Sequence, residues 1–177
     1  MGKYHPDELI HQWELFKKDP EKYLELTLLV IADDPNNDNH YFSLHLVLEK
    51  LGRLDESHKA LDRAFELGEA QKWSRYQARG DLFLKEGRYQ DAINAYNEAE
   101  RGAPIEDWRT GLGPLFRAYC YAQIGDLEAA LRDCETLPED HFTGGFWGRI
   151  PGGNKQQVIM AITQYACAAR DASRRDT

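Results

Sequence analysis

Apolar residues recur every three or four positions along most of the chain, a spacing that predicts a succession of amphipathic helices. The clearest pair of runs lies between Trp73 and Glu106, on either side of the turn Glu86-Gly87-Arg88. Two runs joined by so short a turn predict one αα-hairpin. A single hairpin cannot bury its own apolar faces, so we expect similar hairpins to stack on both sides of it.

Two further turns have the same pattern as the turn at Gly87. One contains Gly52 and the other contains Gly125, so successive turn glycines are 35 and 38 positions apart. Each glycine can adopt the left-handed conformation that ends a helix, and an acidic residue shortly after it can begin the next. Spacing near 34 residues, with two helices per unit and no strand signals, predicts an all-α solenoid of about four helical hairpins.

The two ends of the chain fit this pattern less closely. Near the N-terminus, one predicted helix runs from Asp7-Glu8 to Lys18 and a second begins at Asp19-Pro20, where Asp can cap and Pro suits the first turn. This second helix is apolar almost throughout, so we expect it to be buried on more than one side. Near the C-terminus, residues 138–154 are the least helical stretch, and a final helix from Lys155 to about Arg174 is predicted to cap the last hairpin.

Residues 73–106 resemble a tetratricopeptide repeat. Tyr76 stands where the family's pattern has Trp, Arg79 departs from its usual Leu, and eight positions match: Gly80, Phe83, Gly87, Tyr89, Ala92, Tyr96, Ala99 and Pro104. In the copy at 38–71, His45 replaces the first Gly and Ser57 replaces the Ala. The resemblance implies a right-handed α-α superhelix and a single domain over 1–177. Its parts are a degenerate hairpin (4–37), repeats (38–71, 73–106 and 111–140), a loop (141–153) and a capping helix (154–174).

The resemblance also implies a function. In this family the first helix of each unit lines a concave groove that commonly holds a peptide or helix of a partner protein. We therefore expect a non-catalytic protein-interaction module or adaptor. The groove positions that the resemblance implies are Phe42, Leu46, Glu49, Lys50, Gln77, Asp81, Leu84, Lys85, Leu112, Leu115, Tyr119 and Gln123.

The loop at 141–153 leaves an alternative open. Its residues Phe146, Trp147 and Arg149, together with Ile150, can form a hot spot for an external partner. They can equally form a plug that seals the groove or the last repeat, and we favour the plug. In that case the apolar groove positions are covered by the chain itself.

Composition narrows the classes of partner. The formal net charge of −8 argues against a nucleic-acid or anionic-membrane partner, since either would need a basic face. Three cysteines at no metal-like spacing, and no apolar signal-peptide core, favour a cytoplasmic protein with reduced thiols. A Gly2 start fails the myristoylation pattern because position 6 is Pro.

The sequence gives only weak indications of a catalytic, nucleotide-binding or metal-binding site. The stretch Gly148–Lys155 superficially resembles a phosphate-binding loop, but Asn154 stands where that loop needs Lys. The six histidines form no metal-binding pattern, and no cysteine has an obvious base partner. Each carboxylate is at a predicted turn or exposed helical position, where we expect it to be solvated, and we expect Cys120 and Cys134 to fill the core. We expect no metal and no cofactor. Two alternatives stay open: a self-associating scaffold that forms a homodimer, and a nucleotide-binding or enzymatic protein that uses the Gly-rich loop 144–155.

Overall fold

The computed structural model describes residues 13–68, 72–104, 112–146 and 149–175. Its fold is all-α, as the sequence predicts, with helices packed in adjacent pairs. Residue contacts group the chain into two compact units, Met1–Arg75 (unit 1) and Tyr76–Thr177 (unit 2). The division of the chain as a single domain of repeats stays a prediction.

Unit 1 contains a helical segment at residues 13–18, followed by three helices and the first residues of a fourth. The helices are α1 (Pro20–Asp33), α2 (Asp38–Lys50), α3 (Leu54–Leu67) and α4 (Lys72–Lys85). Asp19 caps α1, as predicted, because its carboxylate accepts a hydrogen bond of 3.1 Å from the Lys22 amide. The start that we predicted for the preceding helix, Asp7-Glu8, lies outside the described residues.

The prediction that α1 is buried on more than one side is wrong. Only Leu24 and Thr27 of α1 are buried, whereas Leu28 is 50% exposed and Leu29 is 66% exposed. Leu24 joins the core of unit 1 with residues of α2 and α3, such as Val47 and Ala60. One face of α1 is therefore sufficient for packing, and its other apolar residues remain at the surface among the described parts of the chain.

Among its described residues, unit 2 contains the rest of α4, then four helices and one short hairpin. These are α5 (Tyr89–Gly102), α6 (Gly113–Gln123), α7 (Leu127–Thr136), β1 (Phe142–Thr143), β2 (Gly153–Asn154) and α8 (Lys155–Arg175). Helix α6 is the centre of this unit, since α5, α7 and α8 all pack against it. Its residues from Gly113 to Cys120 are all buried. The sequence also predicts that an insertion between Pro104 and Phe116 presents Trp108 and Arg109, and these two residues lie outside the described part of the chain.

The three turn glycines end their helices as predicted. Gly52, Gly87 and Gly125 have φ angles of 74°, 76° and 81°, in the left-handed region. In the turn at Gly87, the Gly87 amide donates to the Leu84 carbonyl (3.0 Å) and the Arg88 amide to the Phe83 carbonyl (2.8 Å). The other two turns repeat this pair of hydrogen bonds, which defines a Schellman cap.

The two helices of each repeat meet at a crossing point that differs between the units. In unit 2, Gly80 of α4 lies against the ring of Tyr96, and a Cβ atom at Gly80 would be only 2.5 Å from the Tyr96 Cε1 atom. In unit 1, the corresponding residue is His45, which is fully buried. The Nδ1 atom of His45 lies 2.8 Å from the Ser57 hydroxyl, which also donates to the His45 carbonyl (2.9 Å).

Candidate functional site

Three of the predicted groove residues form a polar stripe on α4 within unit 2. Gln77, Asp81 and Lys85 are four positions apart, so they lie on one face of the helix, and all three are half-buried. The Tyr96 hydroxyl donates a hydrogen bond of 2.7 Å to the Asp81 carboxylate. This bond fixes the orientation of Asp81. It also links the stripe to the buried ring of Tyr96, which lies against Gly80.

The corresponding apolar positions on α6 are buried. Leu115 is fully buried and Tyr119 is 5% exposed, so a partner could contact them only if covering parts of the chain moved. The Tyr119 ring packs edge-to-face on Tyr89 (6.2 Å between centroids) and Tyr165 (5.6 Å). Burial, with the two neighbouring tyrosines, raises the pKa of Tyr119 to about 12. Gln123, at the end of α6, is half-buried, and Leu84 of α4 is also fully buried.

A β-hairpin packs on α6 beside these residues. Its stem is the antiparallel pair of β1 and β2, a feature that the apolar periodicity did not indicate, and its tip is closed by a bridge between Phe146 and Ile150. The Phe146 ring packs edge-to-face on Phe116 of α6, with 5.1 Å between the ring centroids, and Ile150 is buried in the same cluster as Leu115. These contacts favour the plug over the external hot spot for Phe146.

Arg149 is the exposed member of the hairpin tip. Its Nη1 atom donates to the backbone carbonyl of Lys85 (3.3 Å), so the hairpin also contacts the C-terminal end of α4. Because helix carbonyls at this end carry partial negative charge, the guanidinium is favourably placed. Trp147, the third residue predicted for this tip, lies outside the described residues.

The Gly-rich loop begins a helix. The side chain of Asn154 accepts a hydrogen bond from the Gln157 amide (3.0 Å), and the side chain of Gln157 accepts one from the Asn154 amide (2.9 Å). This reciprocal pair is a capping box, which we did not predict although the spacing Asn-x-x-Gln is the sequence signal for it. The Lys155 ammonium donates to the Glu139 carboxylate (2.6 Å) and to the Glu135 carbonyl (3.2 Å). The loop's contacts are thus those of a helix start rather than of a phosphate cradle.

In unit 1, the predicted groove residues Phe42, Leu46 and Lys50 lie along one side of α2. Leu46 is 37% exposed, and Lys50 is exposed with its ammonium group 5.1 Å from the centroid of the Phe16 ring. Phe42 is half-buried beside His45, with 5.5 Å between the ring centroids. Leu46 and Lys50 are thus accessible in the described part of unit 1, but their role in binding stays a prediction.

Two buried arginines were not anticipated from the sequence. Arg117 of α6 makes a two-pronged contact with Asp133 of α7 (2.6 and 2.7 Å) and a further bond to Glu100 (2.6 Å). Burial alone would lower the pKa of Arg117, but these carboxylates raise it above its ordinary value. Our expectation that every carboxylate is solvated is therefore wrong for Asp133, which is buried.

The second buried arginine lies in unit 1. Arg75 forms an ion pair with Asp38 and donates to the carbonyls of Ala64 (3.0 Å) and Gly68 (2.8 Å). It therefore joins the start of α2 to the end of α3. Like Arg117, it has a structural role, and neither arginine belongs to a motif that the sequence could reveal.

The cysteines divide by burial. Cys120 and Cys134 are buried, as predicted for core-filling residues, and Cys167 is exposed. Burial raises the pKa of the Cys134 thiol to about 12, and it raises the pKa of Cys120 as well. Among the described residues, no group of three or more His, Cys, Asp or Glu side chains is arranged to hold a metal ion. Within the same residues, we find no helix with the length and apolar character that crossing a membrane requires.

Paired helices, Schellman turns and the close contact at Gly80 define an all-α helical-repeat protein. Residues 74–101 match the family model of the tetratricopeptide repeat, so this segment of the chain is a tetratricopeptide repeat, as the sequence pattern indicated. Tetratricopeptide repeats are in general protein–protein interaction modules and generally have no enzymatic activity. No curated protein matches the chain.

Proposed function

We propose that the chain is a non-catalytic adaptor that binds a peptide or helix of a partner protein along α4. The partner would contact Gln77, Asp81 and Lys85 in unit 2, with Arg149 and Gln123 at the edges. The observation that carries this proposal is the seating of the hairpin on α6. It packs half-buried Phe146 and buried Ile150 against the core, and the half-buried polar stripe of α4 lies on the neighbouring helix.

The chemistry of the stripe suits the backbone and side chains of a peptide. Gln77 can donate and accept, Asp81 is an oriented acceptor, and Lys85 is a cation. Successive members are about 6 Å apart along the helix. Alternate residues of an extended peptide are separated by nearly the same distance, about 6.6 Å. An extended segment can therefore place every second side chain opposite a member of the stripe.

A selection experiment tests the proposal. Peptides selected from a displayed random library against the full chain would be titrated against the wild type and against the double variant Gln77→Arg, Lys85→Glu. We expect the variant to bind about tenfold more weakly, a change of about 1.4 kcal/mol. Arg132→Gln, at an exposed position on α7, is the matched charge control, because it and the double variant each lower the net charge by one. Equal binding of every selected peptide by the wild type and the double variant would exclude α4 as the site.

The nucleotide alternative gains no support from the loop. A Cβ at Gly152 would lie 2.7 Å from the backbone of Gly144, so this glycine permits close packing of the hairpin. Lys155 is already bound to Glu139, and Asn154 caps α8. Self-association remains a prediction, and comparing the sedimentation of the wild type with that of Leu28→Asp tests it.

A further inference from the structure

A pocket of about 420 Å³ lies within unit 1, between α1, α2 and α3. Its floor is apolar, and it is lined by Leu24, Leu28, Leu44, Leu48 and Ala60. Leu24, Leu48 and Ala60 are buried in the core, whereas Leu28 is half exposed at the pocket's edge. The pocket therefore offers a firm apolar base and an exposed apolar side chain that an incoming group can cover.

This pocket is distinct from the groove that the family resemblance implies. On α2 it is lined by Tyr41, Leu44 and Leu48, whereas the groove positions on that helix are Phe42, Leu46 and Lys50. At about 100° per residue, the two sets point in directions about 165° apart. The pocket and the predicted groove thus lie on nearly opposite faces of α2, and the pocket does not depend on the function proposed for α4.

The rim of the pocket is cationic. Arg53, Lys59 and Arg63 line it, and Glu56 is the one carboxylate among the residues that line it. The chain has a formal net charge of −8, so this local excess of positive charge is opposite in sign to the net charge of the chain. Charge complementarity across an interface contributes more to the choice of partner than to the affinity of binding. The charge of the rim therefore indicates which partners can bind there.

The rim's existing ion pairs are weak enough to exchange. Arg53 binds Glu56 through two hydrogen bonds of 2.7 Å, and Arg63 binds Glu66 at 2.8 Å. Each pair is three residues apart on the exposed side of α3. Such pairs contribute about 0–1 kcal/mol, so carboxylates of a ligand can join or replace them at little cost.

We propose that this pocket binds an acidic amphipathic helix of a partner protein. Apolar side chains of that helix cover Leu28 and Leu44, and its carboxylates contact Arg53, Lys59 and Arg63. The rim extends about 15 Å from Arg53 to Arg63, because these residues are ten positions apart along α3. A ligand helix running beside α3 matches this length with about three turns, and one carboxylate per turn suffices.

Two synthetic peptides of about 14 residues test the proposal, each with leucines at helical spacing. One carries glutamates beside the leucines, and the other carries lysines at the same places. Fluorescence anisotropy would measure the binding of each labelled peptide to the full chain. We expect the glutamate peptide to bind at least about tenfold more tightly than the lysine peptide, and to weaken at about 0.5 M salt.

Substitutions of pocket residues test whether the glutamate peptide binds at the pocket. The triple variant Arg53→Glu, Lys59→Glu, Arg63→Glu should lose at least about tenfold in affinity for the glutamate peptide. Leu28→Asp should lose a similar factor, because it places a carboxylate at the apolar edge. The matched control reverses three exposed charges in unit 2 (Arg101→Glu, Arg132→Glu, Arg175→Glu) and should bind as the wild type does. Circular dichroism and the urea midpoint confirm that each variant is folded.

Several outcomes would overturn the proposal. These are no binding of the glutamate peptide at about 1 mM, equal binding of both peptides, or unchanged binding by the triple variant. An oligonucleotide that binds as tightly as the glutamate peptide would identify a general polyanion site instead. Sedimentation of the wild type and of Leu28→Asp tests whether a second copy of the chain occupies the pocket. A dimer that Leu28→Asp dissociates would make a second copy of the chain the occupant.

Discussion

The repeats that contain α2–α3 and α4–α5 fill the same crossing point in opposite ways. In α4–α5, a glycine on the first helix makes room for the ring of Tyr96, whose hydroxyl binds Asp81. Thirty-five positions earlier, Gly80 becomes His45 and Tyr96 becomes Leu61. The large polar side chain at the crossing point therefore belongs to the second helix in α4–α5 and to the first helix in α2–α3. In α2–α3, the Ser57 hydroxyl is the hydrogen-bond partner of the His45 Nδ1 atom.

The neighbouring positions follow the same exchange. Asp81, which the Tyr96 hydroxyl needs, corresponds to Leu46, and Leu61 has no hydroxyl to bind. Ala92 corresponds to Ser57, which His45 needs. A residue that departs from the family's pattern thus need not destabilise the repeat when its neighbours differ as well. The residues at the crossing point together fill the same space and satisfy one another's hydrogen bonds, although no single residue is the same in both repeats.

The largest expected effect comes from placing one repeat's residue in the other. Gly80→His should lower the free energy of unfolding by about 3 kcal/mol, because even a Cβ at that position would contact the fully buried Tyr96 ring. Urea unfolding followed by circular dichroism measures this. When Ala92→Ser and Tyr96→Leu are added, the loss should be at least about 1 kcal/mol smaller than the sum of the three single losses. Additive losses would show that the three positions do not form one group.

The second effect tests the hydrogen bond in unit 1. Ser57→Ala should cost about 2 kcal/mol, because it removes the partner of the His45 Nδ1 atom inside the core. Ser43→Ala is the control, since its hydroxyl also donates to a helix carbonyl, that of Asn39, but at an exposed place. We expect a change of only about 0.5 kcal/mol there. Equal losses for the two variants would contradict a special role for the buried pair.

The third effect tests the corresponding bond in unit 2. Tyr96→Phe should cost about 1 kcal/mol, less than Ser57→Ala, because half-buried Asp81 can be solvated when the hydroxyl is removed. Asp81→Leu reproduces the residue of the other repeat and should cost a similar amount. Together, the two substitutions should cost little more than either alone, as a double-mutant cycle in the same urea measurement would reveal. A full second loss would mean that Asp81 stabilises the fold through other contacts.

The smallest expected difference is at the turns. Gly52→Ala and Gly87→Ala should each cost about 1 kcal/mol, because both glycines have positive φ and open space around them. Thermal unfolding should therefore give the same loss for both to within about 0.5 kcal/mol. A much larger loss at one turn would place a difference between the repeats at the turn as well as at the crossing point.

The parts that the sequence predicted are those that local physics decides. The glycine turns, the cap at Asp19 and the start of α8 near Lys155 each depend on a few neighbouring residues, whose conformational preferences can be read directly. Gly80 and Tyr96, which lie in contact, are both among the eight positions that match the family's pattern. In these places the local pattern and the tertiary structure require the same residues.

The parts that the sequence missed depend on residues far apart in the chain. Arg117 and Asp133 looked like surface residues because each is polar, and only their packing across α6 and α7 places them inside. Leu115 was assigned to the groove, and the pattern of α6 alone does not reveal that this residue is fully buried in a cluster that also contains Ile150. Periodicity identifies which face of a helix is apolar, but it does not identify what packs there.

The capping box has a kinetic consequence. Asn154 pairs with Phe142 in the hairpin stem and at the same time caps α8, so no hinge separates the hairpin from the helix. If the stem opened, α8 would lose its cap, at a cost of about 1 kcal/mol, and its first turn would fray. The release of Phe146 from Phe116 and the fraying of α8 should therefore occur at one rate. Hydrogen exchange should protect the amides of Phe146, Asn154 and Gln157 to the same degree, as parts of one cooperative opening unit.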